Sequence, residues 1–471
     1  NMQSFKRKLK HFAREHLKKL QRSNAAVRRA APVRVMAAGF AAVILIGTLL
    51  LMLPFATRTG ESAGAVTALF TATSATCVTG LIVEDTYLFW SPFGQAVILC
   101  LIQTGGLGFM TIAIALSLLL RRRISLRERQ LVSTSLNMDG LSGMVRLVKR
   151  VLYGTLLFEG MGALILSVRF SREYGILGGI SRGIFHSVSA FCNAGFDILG
   201  DQGAYISLGG YTGDFVVTVT ISLLIILGGL GFFVWSDIYS ARDNKGRLHT
   251  QSKIVLRSTA LLLLVGTLFF LVAEHDNPQT MGNQNLFGQL LSAFFQSTTT
   301  RTAGYAQLNQ AYLTGASKAM SVALMFIGGS PGGTAGGVKT VTLAVLLMAA
   351  RSSLRGTYQT TVGGRSISYK LVMDALSVFL LGICSVAIGT FMLSAFDGVT
   401  LSAALFECTS AFGTVGLTLG ITPELSTPSL LVLVALMYLG RVGIITIGMA
   451  AMMRGKKDAK IKYPEARVMI G

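Results

Sequence analysis

Apolar residues along this chain fall into long runs separated by short polar or basic stretches. Crossing a hydrocarbon core of roughly 30 Å takes about 20 apolar residues in a helix. Eight runs reach that length, centred on 36–55, 93–120, 148–168, 215–238, 255–273, 318–350, 371–396 and 429–453. Four shorter apolar segments, near 64–75, 178–190, 286–299 and 401–411, fall between the members of successive pairs. They are too short to span, and their length suits helices that descend partway and return. The first run, Val35 to Phe55, is too long for a signal peptide and no small-residue cleavage site follows it, so it is expected to be a retained span. Met2 is expected to be the natural start, with Asn1 added before it.

Laid over one another, the four short segments repeat a motif. Phe70-Thr-Ala-Thr-Ser74-Ala-Thr-Cys-Val-Thr-Gly80 matches Phe185-His-Ser-Val-Ser189-Ala-Phe-Cys-Asn-Ala-Gly195. The third copy is Phe294-Phe-Gln-Ser-Thr298-Thr-Thr-Arg-Thr-Ala-Gly304 and the fourth Phe406-Glu-Cys-Thr-Ser410-Ala-Phe-Gly-Thr-Val-Gly416. In each copy Phe stands ten residues before Gly and a hydroxyl residue six before it; an apolar or aromatic residue follows, and successive glycines are 115, 109 and 112 residues apart. A second element recurs in the span behind each glycine: Gly105-Gly-Leu-Gly108, Gly228-Gly-Leu-Gly231, Gly328-Gly-Ser-Pro-Gly332 and Gly440-Arg-Val-Gly443. Internal repetition of this kind is the first thing to establish in a long chain. It predicts an all-α membrane protein of four membrane–pore-loop–membrane repeats, with eight transmembrane helices and four re-entrant pore helices around a pseudo-fourfold pore.

One glycine per copy has a physical reason if a cation passes between them. A cation shedding its water needs several oxygens at once, and backbone carbonyls supply them where the chain can turn them inward. Glycine reaches the backbone angles this needs. The negative ends of four short helices would favour a cation on the axis, and Ser74, Ser189, Thr298 and Ser410 are placed to hold the exposed backbone groups of the loops. Close helix packing explains glycines such as Gly105, Gly106, Gly228 and Gly229, but it does not require Gly80, Gly195, Gly304 and Gly416 in one motif.

Composition sharpens this picture. Hydrophobic residues are 52% of the chain and charged ones 13%, so bilayer is its solvent. The net charge of +21 does not point to nucleic acid, because 34 of 42 Lys and Arg lie in five segments: before residue 35, in 121–150, 242–257 and 351–370, and from 454 onward. Eight spans would put those segments on one side, so both termini are expected in the cytoplasm of a multi-pass cell-membrane protein. The opposite loops hold Glu61, Glu84, Asp85, Asp197, Asp201, Asp214, Glu274, Asp276, Asp397 and Glu424, which either concentrate cations or solvate the loops. Five cysteines have neither metal-ligand nor disulfide spacing and are read as packing thiols. The five histidines form no HExxH, and no paired acids or nucleophile motif appears, so the chain is not expected to be an enzyme. A secondary transporter with a midplane site would explain broken helices but not four matching short segments.

Through Thr76-Cys-Val-Thr-Gly80-Leu81, Phe191-Cys-Asn-Ala-Gly195-Phe196-Asp197, Thr300-Arg-Thr-Ala-Gly304-Tyr305 and Gly413-Thr-Val-Gly416-Leu417, the chain resembles the Trk/Ktr/HKT superfamily of potassium transporters from about residue 35 to 455. It looks closest to the bacterial KtrB-type membrane subunit, since only a basic segment precedes residue 35 where other members have two additional helices. The resemblance implies a K+ filter made by Val78, Thr79 and Gly80, by Asn193, Ala194 and Gly195, by Thr302, Ala303 and Gly304, and by Thr414, Val415 and Gly416. Four glycines favour potassium over the family's sodium-selective branch, where one is serine. Without the Thr-Val-Gly-Tyr-Gly of tetrameric channels, discrimination against Na+ is expected to be less strict, with Na+ as a candidate coupling ion. The resemblance also implies a homodimer with one pore per subunit on a cytosolic, nucleotide-binding RCK-type ring like KtrA or TrkA, absent from this chain.

Two gate elements are expected. The stretch 328–337, with Gly328, Gly329, Pro331, Gly332, Gly333, Gly336 and Gly337, cannot hold a regular helix. It matches the family's intramembrane gating loop, a fixed kink being the alternative. Arg441 is a charge inside the last span and needs a partner or water; it aligns with the arginine the family places beneath its filter. Arg301 and Glu407, in adjacent pore segments, are expected to pair as a brace, and Lys339, just past the loop, either to join the gate or to reach the cytoplasmic interface. The basic N-terminal stretch puts Phe5, Leu9, Phe12, Leu17 and Leu20 near one helical face, for membrane lipid, for the regulator, or as a solvated tail. The expected divisions are a basic segment 1–34, repeats at 35–120, 121–240, 241–350 and 351–453, and a cytoplasmic end 454–471.

Overall fold

The computed structural model describes residues 34–108, 111, 144–241, 247–357, 359–362 and 365–443. The basic segment before Arg34, most of the 121–150 connection and the residues from 454 onward lie outside the described residues, and so does the expected amphipathic face of Phe5 to Leu20. The described chain forms thirteen helices of ten residues or more: α1 (Arg34–Leu51), α2 (Ala65–Cys77), α3 (Pro92–Leu107), α4 (Met144–Phe191), α5 (Phe215–Gly229), α6 (Phe232–Ala241), α7 (Thr250–Glu274), α8 (Leu286–Thr299), α9 (Gly315–Phe326), α10 (Thr340–Leu354), α11 (Tyr369–Asp397), α12 (Leu401–Gly413) and α13 (Thr427–Val442). A two-stranded antiparallel hairpin, β1 (Thr361–Val362) with β2 (Arg365–Ser366), pairs Thr361 with Ser366 and Val362 with Arg365. The all-α expectation did not contain it.

Helix starts follow the local sequence. Ser91, Asp214, Asn285, Thr314, Ser368 and Thr400 each accept a hydrogen bond from the backbone N–H three residues on, which satisfies one of the donors a first turn leaves free. Within α4 the chain turns back at Gly175, whose φ of 71° only glycine adopts easily. Beyond that turn Gly179 and Gly183 lie against Ser171 and Ser167, so close that a side chain at either glycine would collide. Small residues on both arms therefore let the long arm and the short arm of α4 lie side by side.

The distribution of polarity is inverted relative to a water-soluble protein. Leu164, Leu177, Val272 and Phe391 are exposed on the outside. Thr71, Thr73, Ser74, Thr76, Ser187, Ser189, Thr298, Thr299, Thr409 and Ser410, all on the four short helices, are buried. Among the described residues α1, α4, α7 and α11 are long and apolar enough to cross a membrane, with α5 and α6 as a fifth if taken together.

Among the described residues the remaining expected spans are broken by one recurring feature. α3 ends on Gly108 (φ 78°), α13 on Gly443 (φ 91°), and α5 and α6 meet at a 90° bend around Gly231 (φ 93°). The third such helix is interrupted between Phe326 and Thr340. The break expected only at 328–337 thus occurs behind every copy of the motif, because each second element ends on, or contains, a glycine in the left-handed region. Packing follows the chain in a circle: α3 lies on α4, α5 on α8, α9 on α12, and α13 returns to α2.

Candidate functional site

The motif glycines meet one another. A Cβ built on Gly80 would stand 3.2 Å from the Cα of Gly195; one on Gly195, 2.9 Å from that of Gly304; one on Gly304, 3.2 Å from that of Gly416; and one on Gly416, 3.0 Å from that of Gly80. In each case the nearest atom is closer still: the carbonyl oxygen of the residue before the next glycine, namely Ala194, Ala303, Val415 and Thr79 in turn. Four loops therefore close a ring with one carbonyl per loop lodged against a neighbour's glycine. The φ values of the four glycines are 89°, 68°, 82° and 97°. Two residues earlier stand Val78, Asn193, Thr302 and Thr414, non-glycine residues at φ 58°, 58°, 75° and 52°. A left-handed β-branched residue is strained wherever it occurs, as Val78, Thr302 and Thr414 are; Asn193 adopts the region more readily, and the conformation itself recurs at one register in all four loops. All twelve residues from Val78–Gly80, 193–195, 302–304 and 414–416 are buried.

Hydroxyls on the short helices hold the loops. Ser74 Oγ accepts from Gly80 N–H at 3.1 Å and Ser410 Oγ from Gly416 N–H at 3.0 Å, while Ser189 Oγ donates to the Phe196 carbonyl at 2.8 Å. In the third copy the role falls to Thr299, which donates to the Tyr305 carbonyl at 2.6 Å. Thr298, the residue expected from spacing, donates instead to Phe294 in its own helix. The backbone explains the shift. Thr79, Ala194 and Val415 donate to carbonyls five residues back, whereas Ala303 donates to Thr299, four back, so this copy is one residue shorter between hydroxyl and glycine.

Behind the ring, Gly105, Gly228 and Gly440 lie against the carbonyls of Thr76, Phe191 and Phe412, each four residues before its loop glycine, at contacts no Cβ could share. These are packing glycines, as expected of the first two. The next position is glycine at 106, 229 and 329 and arginine at 441. The Arg441 guanidinium donates through Nη1 to the Thr334 carbonyl, and through Nη2 to the carbonyls of Gly105 and, at 3.2 Å, Gly106. It thus ties the 328–337 segment to the end of α3. That segment is also held by Ser330 N–H to Gly229 O (3.0 Å), Thr334 N–H to Gly228 O (3.2 Å), Phe232 N–H to Gly332 O (2.9 Å) and Thr334 Oγ1 to Phe191 O (3.2 Å). Gly336 and Gly337 lie against Thr414 and Gly413 of the fourth loop, and Gly328 touches Gly336. Lys339 donates to the Ala335 carbonyl within the segment, an anchor nearer than the interface expected for it.

The brace between Arg301 and Glu407 does not form. Glu407 accepts from Thr418 Oγ1 (2.5 Å), Leu419 N–H (3.0 Å) and Thr422 Oγ1 (2.9 Å), so it fixes the chain that leaves its own loop. Arg301 is buried and its Nε has no partner among the described residues. Asn193 and Thr302 lie 3.3 Å apart beneath neighbouring loops; with its amide nitrogen directed at the carbonyls of Ala190 and Ile225, Asn193 accepts from the Thr302 hydroxyl. On the opposite side of the ring, burial pushes the Asp197 carboxyl up to about 7, with the nearby Asp85 charge acting in the same direction and the Leu199 N–H against it. Sequence reasoning passed over two residues. Thr299 was hidden by the shorter third copy, and Glu159, buried inside α4, was signalled only as one acid within an apolar run.

The family model described as TrkH, cation transport protein, matches residues 1–462. The chain is 42% identical over 452 residues to the potassium/sodium uptake protein NtpJ of Enterococcus hirae, covering 94% of this chain and 98% of that protein. It is 38% identical over 444 residues to the Ktr system potassium uptake protein B of Bacillus subtilis, covering 94% and 97%. The crystal structure of the potassium transporter TrkH from Vibrio parahaemolyticus superposes with a TM-score of 0.68 at 19% identity, covering 88% of this chain and 84% of that one, a likeness of fold. With apolar helices outward and a family of transporters rather than enzymes around it, this multi-pass membrane chain belongs to the TrkH cation-transport family and is of the Ktr type.

Proposed function

We propose that the chain conducts K+ into the cell as the membrane subunit of a Ktr-type uptake system. Four membrane–pore-loop–membrane units, divided near residues 120, 240 and 350, surround one path, and its narrowest part is the ring of the twelve loop residues. The observation that carries this reading is the closed circuit of glycine-to-carbonyl contacts from Gly80 through Gly195, Gly304 and Gly416 back to Gly80. Such a ring offers main-chain oxygens from four sides to a dehydrated ion. The segment 328–337 and Arg441 act as the gate below it, supported by the hydrogen bonds from Arg441 to Thr334, Gly105 and Gly106. Both termini face the cytoplasm, following the positive-inside bias. A cytosolic RCK-type subunit that binds nucleotide sets the gate, and two copies of the chain pair; the family resemblance supports both points, and the Ktr-system name of the Bacillus subtilis relative supports a multi-subunit assembly.

A second reading, in which Na+ is also carried or coupled, is favoured by the potassium/sodium name of NtpJ. Uptake of K+ and Na+ by the full chain, in cells lacking their own potassium uptake, separates the two. K+ uptake at micromolar to millimolar supply with Na+ flux well below it supports the first reading. Equal fluxes support the second, and no flux of either ion refutes both.

A further inference from the structure

We propose that Glu159 is a proton-binding site inside the membrane, whose charge state is passed to the second loop of the ring. The residue lies on the long arm of α4 and is only 6% exposed. Among the described residues no cation pairs with it. Its Oε2 accepts from Gln103 Nε2 at 3.1 Å, and its Oε1 faces the Cys192 Sγ at 3.9 Å. Cys192 Sγ in turn stands 3.5 Å from Gln103 Oε1, so carboxyl, amide and thiol close a three-membered cluster.

The surroundings supply no counter-charge. α3 presents the neutral Gln103. α5 has no titratable residue between Phe215 and Gly229. α6 brings Tyr239, which lies under the Arg150 guanidinium, and Asp237, which is engaged by His249 Nδ1 at 2.5 Å. The second loop brings Cys192. The Arg441 guanidinium donates to three backbone carbonyls rather than to Glu159. An ionised carboxylate cannot be buried on one neutral amide without penalty, and the usual resolution is to take up a proton. Once protonated, the acid fits its partners. Its O–H is directed to Gln103 Oε1 or to the Cys192 sulfur, while Gln103 N–H continues to donate to the other oxygen.

The position of the cluster gives the proton a consequence. Cys192 immediately precedes Asn193, the left-handed residue that opens the second loop, and Ser187 on the short arm of α4 donates to the Glu159 carbonyl at 2.6 Å. Loss of the proton places a negative charge directly behind that loop, which raises cation occupancy on its cytoplasmic side.

Infrared difference spectroscopy of the purified full chain tests the site without reference to transport. The carbonyl stretch of a protonated carboxylic acid is expected in the wild type, to fade as pH rises, to shift in Cys192→Ala and to be missing in Glu159→Gln, which keeps the amide contact with Gln103. A spectrum that is identical in wild type and Glu159→Gln overturns the proposal. The second arm rests on the conduction reading: potassium-depleted cells are held at fixed external pH while a permeant weak acid lowers cytoplasmic pH. Wild-type K+ uptake is expected to fall severalfold and uptake through Glu159→Gln to respond much less; an equal response in both overturns the coupling. Should neither protein carry K+, the conduction reading fails and the infrared arm still decides whether Glu159 holds a proton.

Discussion

Replacing Gly304 by serine tests the ring at its least forgiving point. The glycine has φ 82°, and a left-handed conformation costs a residue with a Cβ about 1–2 kcal/mol. Strain is the smaller part of the effect. The added Cβ would stand 3.2 Å from both the carbonyl carbon of Val415 and the Cα of Gly416, and nearer still to the Val415 oxygen. Restoring van der Waals distance moves that oxygen by on the order of 1 Å. Val415 cannot yield freely, because its N–H is bonded to Ser410 O at 2.8 Å and the next N–H to Ser410 Oγ at 3.0 Å. One carbonyl of the ring is therefore misplaced around the ion, a loss of about 1.5–3 kcal/mol if it resembles a hydrogen bond to a charged group. That corresponds to about a tenfold to hundredfold fall in preference for K+ over Na+. Parallel K+ and Na+ uptake measures the ratio. Gly398→Ala is the control: its φ is 65° but nothing lies within 4 Å of the added methyl, so strain is present without displacement and the ion preference should hold. A Gly304→Ser protein with both fluxes unchanged would remove the ring from selectivity.

Other outcomes rest on the same geometry. Arg441→Ala removes three hydrogen bonds from a charged group, each worth about 1.5–3 kcal/mol; K+ flux is expected to rise at least tenfold by the same arithmetic, and unchanged flux takes Arg441 out of gating. Arg441→Lys should behave more like alanine than like arginine, since a single ammonium lacks the planar fork that reaches both the 328–337 segment and the end of α3. Asp197, whose carboxyl is raised to about 7, is neutral in acid and gains its charge as pH rises through neutrality; in the proposed orientation it faces the outside, so K+ uptake at low external K+ should rise with external pH over that interval and flatten in Asp197→Asn. The same raised value means that ionising Asp197 opposes folding, so the stability it contributes is greatest below the ordinary carboxyl value of 3.8 and declines as pH climbs towards 7. Thr299→Val should lower thermal stability by about 1 kcal/mol through loss of the bond to Tyr305, whereas Thr298→Val should cost less because its hydroxyl serves only its own helix. Equal losses would restore the register that spacing suggests.

Much of this architecture is legible in the sequence because the chain repeats. Four segments too short to span, each ending on one glycine, already imply four loops that share a role, and the loops do converge on Gly80, Gly195, Gly304 and Gly416. What repetition conceals is departure from the repeat. Aligning the third copy at constant spacing selects Thr298, but a chain one residue shorter brings Thr299 to the loop instead. Pairing Arg301 with Glu407 assumes that buried opposite charges seek each other, whereas Glu407 is satisfied by two threonine hydroxyls and a backbone N–H within reach of its own helix. Local neutral donors win because they are already positioned by the chain.

The broken second helices obey a deeper version of the same logic. Gly108, Gly231 and Gly443 look in sequence like contacts between helices, yet each lies at positive φ where its helix ends or bends. A glycine that packs and a glycine that terminates look alike in a one-dimensional pattern, because both answer the need to do without a Cβ. The backbone angle at each glycine tells the two apart. After Gly105, Gly228 and Gly440 the chain continues as helix against a carbonyl of the short helix; three residues later stands a glycine at positive φ. Among the described residues each second helix is therefore broken or bent close behind its loop. In the third unit the interruption is lengthened into a segment that lies on the second and fourth units, and in the fourth the site of a packing glycine is given to Arg441, which bonds to that segment. On the proposed reading, a feature common to four units becomes a gate in two of them through an added segment and a single added charge.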